Sequence, residues 1–428
     1  MHQSNKVDRT SNDRYSPDTR STEIGDSEYI RSLNRGVVLA AIRDHEPVSR
    51  AAIAKRTGLS RSTCSLIVDE LLDRTLISEV GKGASSGGRP GVLLTMNYEA
   101  GVTVGARLLA DSIDCAVVNL RGEVLERRET SISYRTDVEN YIETLTTAVN
   151  NVLSLFAARV PDKPVFGLGL GLSGLVDSEA GQSISSSILH WDHIPLADRV
   201  EQELSIPVFI DNDVNTFAMG ELWFGHGRGI DSFLCVTVGE GIGLGIVMGG
   251  EIYAGRHHGA GEFGHVRISD DPQAPRDAMG IQGSVEASAA DPAIREFVSN
   301  EIAAGATSKL QESRGPIGIE AIAEAAREGD SLCRRAYERA GHYLGIGVAN
   351  LINLLDPDLI VVGGEGCRAR DLWGGAMETA IEANSAYGLD KRVRRIPIEF
   401  EDDVWVRGVA SLVLREVFEG RTPAPHHR

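Results

Sequence analysis

"FIDNDVNTFAMGE", residues 209–221, decides how this chain is read. The apolar run from Ile206 to Ile210 ends in Asp211, Asn212 and Asp213. A short apolar run closed by carboxylates reads as a buried strand that delivers polar groups to one edge. An amide beside a carboxylate at such an edge can grip sugar hydroxyls, or take a proton from one.

Two glycine-rich segments downstream offer matching chemistry. "VTVGEGIGLGIVMGGEIYAG", 236–255, reads as strand, turn and strand, with Gly239, Gly241 and Gly243 letting backbone N–H groups approach a phosphate or a sugar ring. Hairpin glycines usually serve only their turn, so this segment decides little by itself. "GAGEFGHVRI", 259–268, sets Glu262 and His265 three residues apart, close enough to face one small ligand with an acceptor and a donor. A surface loop with an incidental histidine has the same sequence; the separate Asn212/Asp213 pair favours a site.

Further out, strand-like runs at Val102 to Ala106, Ile113 to Asn119 and Val124 to Ser133 precede a helix from about Val138 to Ala157 and a strand at Val165 to Leu172. A similar series follows at Phe233 to Val238, Leu244 to Val247 and Ile252 to Tyr253, ending in a long helix and a strand at Leu359 to Val362. Strand, strand, strand, helix occurring twice implies two similar α/β lobes around a cleft. The 47 glycines are expected at strand-to-loop turns.

The front of the chain is of another kind. Residues 1–26 are polar with little to bury, and are expected to be a disordered tail. A helix is expected from Ser27 to the stretch Asp44 to Pro47. Then comes "VSRAAIAKRTGLSRSTCSLIVDELLDRTLISEV", in which Ser49 caps one short helix, Gly58 turns the chain and Ser60 caps a second. Cys64, Ile67, Val68 and Leu71 recur at helical spacing and face inward. The leading outer face then carries Ser60, Arg61, Ser62, Thr63 and Ser65, the geometry that sets side chains against base edges in a major groove. Leu76 to Val80 and Val92 to Leu94 read as a wing, with Lys82 and Arg89 placed to meet phosphates or a minor groove.

Charge agrees with this division. The chain carries a net −18, yet residues 31–90 hold ten basic and six acidic side chains. A mildly basic front on an acidic body fits a DNA reader joined to a unit for a neutral ligand. Five scattered cysteines without a CxxC pair oppose a disulfide framework. With no leader-like segment and no apolar run near the ~18 residues of a membrane span, the expectation is a cytoplasmic protein without membrane contact.

"SRAAIAKRTGLSRSTCSLIVDELL", "GGRPGVLLTMN", "IDNDVNTFAMGE", "VGEGIGLGIVMGGEIYAGRHHGAGEFGH" and "LINLLDPDLIVVGG", in this order, resemble the ROK family, which unites bacterial sugar kinases with winged-helix, sugar-responsive repressors of the NagC/XylR kind. The likeness runs over residues 30–418. It implies an N-terminal winged helix-turn-helix (27–97) followed by a two-lobed α/β actin-like, ribonuclease-H-like sugar-kinase fold (98–420) and a short tail (421–428). It also implies sugar contacts from Asn212, Asp213, Glu262, His265 and Glu286, with Asp213 at the base position of the kinases. Ser187 stands nearest to a further sugar-facing position near Trp191.

The departures from that family pattern are as informative. Thr103 replaces the metal-organising acid of the first phosphate loop, and Glu240 adds negative charge in the second, so ATP binding and catalysis are not expected. Asp277, Met279 and Ser284 stand where the family has zinc-binding cysteines, leaving only His265 of four ligands; no zinc is expected, and the loop must be held by packing or move. The expected protein is a repressor of carbohydrate genes binding double-stranded operator DNA as a homodimer or homotetramer, released or tightened by a sugar. The rival expectation is an ATP-dependent sugar kinase with a DNA-binding front end.

Overall fold

The computed structural model describes residues 27–82, 91–133, 135–311, 315–398 and 403–418. Its front is a three-helix unit: α1 (Ser27–His45), α2 (Arg50–Thr57) and α3 (Arg61–Asp73), with strands β1 (Val48–Ser49), β2 (Ile77–Lys82) and β3 (Val92–Met96) paired antiparallel in the order β1-β3-β2. Local chemistry sets each boundary. Ser49 Oγ accepts from Ala52 N, Gly58 ends α2 in the left-handed region at φ 73°, and Ser60 Oγ accepts from Thr63 N at 3.0 Å. Leu39 and Ile42 of α1 bury against Ile53, Cys64, Ile67, Leu71 and Leu94.

Each lobe then repeats one topology. In the first, Val102–Leu108, Ser112–Asn119 and Val124–Ser131 form an antiparallel trio, to which Val165–Leu172 and Val208–Asn212 add in parallel. In the second, Ser232–Val238, Ile242–Met248 and Glu251–Ile252 are the trio, extended in parallel by Leu359–Gly363 and Arg394–Pro397. The duplicated pattern of the sequence is therefore a duplicated sheet.

Glycines do more than turn the chain, contrary to the expectation from composition. In "VFGLGLGL", 165–172, Leu168, Leu170 and Leu172 join the buried apolar cluster of the first lobe, while the glycines between them face the other way. A Cβ on Gly169 would stand 2.3 Å from the Val409 carbonyl oxygen, and one on Gly105 would stand 2.4 Å from that of Val406. Both Val406 and Val409 belong to the last helix, Asp403–Phe418, which lies against the glycine face of the first lobe after the chain has completed the second. That helix crosses Asp213–Phe224 where Gly220 and Gly408 meet, a Cβ on Gly220 falling 3.0 Å from the Gly408 Cα. Its far end, Val413 to Phe418, joins one apolar cluster with the core of the three-helix unit.

Candidate functional site

The outer face of α3 is a candidate nucleic-acid interface. Ser60, Arg61 and Ser62 are exposed, Thr63 and Ser65 are half-buried, and Leu66 is 69% exposed between them. Ser60 is committed to its cap and also lies 2.8 Å from the hydroxyls of Ser62 and Thr63. Arg61 has no partner among the described residues, so its donors are available to an acceptor outside the chain. Lys82 is exposed at the end of β2, and Arg89 lies outside the described residues. Sequence reasoning passed over Lys55, an exposed cation in the last turn of α2; its position in the helix that precedes a reading helix was the available signal.

The α3 face is braced from behind. Glu70 of α3 pairs with Arg31 of α1 at 2.9 Å and also with Arg35. Burial works to raise the Glu70 carboxyl, and the two arginines outweigh it, so its pKa is lowered. Arg50 of α2 holds Asp69 at 2.6 Å. Ion pairs therefore tie α3 to both α1 and α2.

The second candidate site flanks strand Ile242–Met248. Asn212 caps helix Asp213–Phe224: its Oδ1 accepts from Val214 N and Asn215 N, and its Nδ2 donates to the Gly174 carbonyl at 3.0 Å. One amide hydrogen is left for a ligand. Asp211 is buried and accepts from Asn212 N and Asn215 Nδ2, so it stabilises the turn. Asp213 is largely buried, which raises its pKa; Arg107 opposes that rise and Glu365 adds to it. Val214, next in the helix, packs on Gly243 and Gly245 of the strand.

On the other side of the same strand, Gly261 meets the Leu244 carbonyl and Gly264 that of Ile242, which brings the Glu262/His265 turn against it. Glu286 reaches the strand too, its Oε2 accepting from Ile242 N at 3.2 Å; burial raises its pKa. His265 Nε2 is 3.7 Å from Glu262 Oε2. The lobes touch at the mouth, where His258 Nε2 is 3.5 Å from Asp177 Oδ2. Ser187 sits exposed on a turn, while its neighbour Ser186 is buried, 3.2 Å from the Ser173 hydroxyl.

The loop around Asp277 corrects the expectation that packing or mobility governs it. Asp277 Oδ2 accepts from Ser284 Oγ at 2.7 Å and lies 2.9 Å from His265 Nδ1, while Oδ1 accepts from Met279 N and Ile281 N. One carboxylate thus holds the histidine, closes its own loop, and ties down Ser284, the cap of the helix bearing Glu286. Despite burial, these hydrogen bonds lower the Asp277 pKa. Burial likewise works against protonated His265, but Asp277, Glu286 and Glu262 raise its pKa on balance. Met279 is 62% exposed and turned away from the cluster. A carboxylate already holding four donors, a hydroxyl and one imidazole are a poor set for zinc, which favours thiolates. Among the described residues no group of His, Cys, Asp or Glu converges as three or more metal ligands.

Ion pairs occupy the two stretches that the family resemblance matches to phosphate loops. Arg107 Nη1 donates to Glu365 Oε1 at 3.0 Å across the lobes, its Nη2 is 3.7 Å from Asp213 Oδ2, and its guanidinium lies 3.8 Å from the Trp405 ring centroid. Glu240 takes both guanidinium nitrogens of Arg295 at 2.6 and 2.8 Å. Thr103 is buried with its hydroxyl donating to the Val118 carbonyl. Arg107, Glu365 and Arg295 went unread in the sequence, although an arginine near the end of the apolar run "VTVGARL" was a signal.

The ROK family profile matches residues 100–416, and a winged helix-turn-helix DNA-binding profile matches residues 34–77. A putative xylose repressor of Caldicellulosiruptor sp. (strain Rt8B.4) is 30% identical over 396 residues, covering 92% of this chain and 98% of its own. The DNA-binding transcriptional dual regulator NagC of Escherichia coli (strain K12) is 29% identical over 408 residues, covering 93% and 96%. Among solved structures, a ROK family transcriptional regulator described as a homologue of the E. coli MLC protein superposes with a TM-score of 0.83 at 30% identity, over 92% of this chain and 98% of that one. A ROK family glucokinase from Streptomyces griseus, solved with glucose and AMPPNP, gives 0.64 at 28% identity, over 73% and 99%.

Proposed function

This chain belongs to the ROK family, and from that premise we propose that it is a DNA-binding transcriptional repressor of carbohydrate uptake or catabolism genes, modulated by a sugar or sugar derivative in the cleft. The observation that carries this reading is the pairing of two sites in one frame: an α3 face on which Arg61 has no partner among the described residues, and a cleft flanked by Asn212, Asp213, Glu262, His265 and Glu286. Arg61, Ser62 and Ser65 would meet base edges, with Lys82 and Arg89 on the backbone or minor groove. A homodimer would set two α3 helices about one DNA turn, ~34 Å, apart on a pseudo-palindromic operator. Among the described residues no helix is long and apolar enough to cross a membrane.

Phosphoryl transfer is not part of this reading. A nucleotide would bring negative charge to a place where Arg107 is already shared by Asp213 and Glu365, and where Arg295 is taken by Glu240. No carboxylate at Thr103 remains to organise a metal against phosphates. The sugar kinase alternative draws on Asp213 alone; ATP-dependent phosphorylation of a hexose, abolished by Asp213→Ala, would restore it. We propose also that the protein works without zinc, its loop organised by Asp277.

The test is binding of purified protein to the DNA upstream of its own gene, with scrambled DNA as control, titrated with D-xylose, D-glucose, N-acetyl-D-glucosamine and their phosphates. Sequence-dependent binding weakened by one of these sugars supports the proposal. Failure to distinguish the two DNAs would reject it.

A further inference from the structure

The helix that starts in the cleft ends on the DNA-reading unit. Asp213–Phe224 opens beside Asn212 and Asp213 and, roughly 15 Å along its axis at 1.5 Å per residue, presents Trp223. The Trp223 indole stacks on Phe418, ring centroids 5.2 Å apart and planes 16° from parallel. The guanidinium of Arg43, in the last turn of α1, lies 4.4 Å from the Trp223 centroid and 6.0 Å from that of Phe418. Beside it, Asp44 Oδ1 accepts from Arg43 Nε at 3.0 Å and faces Arg228 Nη2, just past the same helix, at 3.7 Å.

Phe418 belongs to the second helix of the crossed pair, which has the same two ends. Near its start Trp405 lies under Arg107, the residue between Asp213 and Glu365. At its finish Val417 and Phe418 enter the apolar cluster of the three-helix unit. At the crossing, Gly220 and Gly408 bring backbone against backbone, and on either side of it the ring pairs Phe217–Trp405 and Trp223–Phe418 lock the two helices together. Both helices therefore begin on the cleft charges and end at α1, and α1 is bound to α3 through Glu70.

We propose that Trp223 is the positioning residue that couples the cleft to the DNA-reading unit, with the Arg43–Trp223–Phe418 stack as the joint. It rests on the reading above, that the cleft governs DNA binding, and adds the route. A change at Asp213 or Arg107 shifts the crossed helices, the stack carries that shift to α1, and α3 turns relative to its partner's. Coupling needs a contiguous element that both sites bias, and a cation over a stacked indole is directional enough to transmit an angle.

The experiment is a double-mutant cycle on the full-length protein, read by fluorescence anisotropy on its upstream DNA. Arg107→Gln alters the cleft end and is expected to change the DNA dissociation constant roughly tenfold, the ordinary size of coupling between sites. In a Trp223→Ala background the same change should fall below about twofold, and Trp223→Phe, which keeps a ring in the stack, should restore most of it. Arg43→Met, a change near the surface that keeps the stem and removes the cation, should suppress it as Trp223→Ala does and stands in if that variant fails to fold. An Arg107→Gln effect of equal size in the parent, Trp223→Ala and Arg43→Met backgrounds would overturn the proposal, as would no effect in the parent. Loss of the functional reading itself would show earlier and separately, as no sequence preference in the unaltered protein.

Discussion

The two candidate sites of this protein are built in opposite ways. On α3 the candidate contacts stand at or near the surface and Arg61 has no partner among the described residues; in the cleft the side chains already hold one another. Asn212 is a helix cap, Arg107 is shared between two carboxylates, Glu240 holds Arg295, and His265 is held by Asp277. A DNA backbone supplies its own dense charge, so its reader can wait with free donors. A small polyhydroxyl ligand supplies no charge, so its site must be ordered beforehand by internal bonds.

Four measurements would break or sharpen that contrast. Asp277→Ala removes the acceptor of four hydrogen bonds and leaves the buried Ser284 hydroxyl, still capping Ala287 N, without an acceptor for its own proton; urea unfolding should show a loss of about 3 kcal/mol. A loss too small to measure would mean the cleft side is no more prearranged than α3. Arg61→Ala should weaken operator binding by about 2 kcal/mol, near thirtyfold, with an unchanged melting temperature. If its stability fell instead, Arg61 would be a structural residue and the contrast would fail from the other side.

Asp291 probes the crowding of acids near Glu240. Burial, with the Glu240 carboxylate adding to it, raises Asp291 to about 6 from 3.8. A carboxyl raised on folding favours the native state below its unfolded pKa, and that contribution is lost as pH climbs through the folded value, here between pH ~4 and ~6. Asp291→Asn should therefore match the parent near pH 4 and exceed it by about 2 to 3 kcal/mol at pH 8; a constant difference across that range would remove Asp291 from the account. The smallest expected effect is from chelation. Dialysis against EDTA should leave melting temperature and operator affinity unchanged, and a stoichiometric zinc released by it would show that a metal, not Asp277, orders the loop.

Much of the front of the chain was legible because its rules are local. Ser49, Gly58 and Ser60 each act within a few residues, so caps and turn follow from spacing alone. The duplicated strands were legible from apolar runs; Asn212, Asp213, Glu262 and His265 stand out by their motifs, and Glu286 only through the family resemblance, as candidates for sugar contact. Ser187 shows the limit: a one-residue alternation puts Ser186 inside and Ser187 out, and no spacing rule reports which.

What the sequence determined by itself was therefore everything carried by short range: three helices, two of them capped, with a wing, two copies of one sheet, a charge-divided chain and the residue types of a sugar-kinase-like cleft. Only the tertiary structure decided the long-range pairings. Arg107 meets Glu365 across 258 positions, and the glycine faces of strand 165–172 are explained only when helix Asp403–Phe418 returns to cover them. The Arg43–Trp223–Phe418 stack joins three separate elements in the same way. A spacing rule describes the few residues that one turn or one pleat brings together, whereas these contacts are chosen by which faces remain to be buried once every local element has formed.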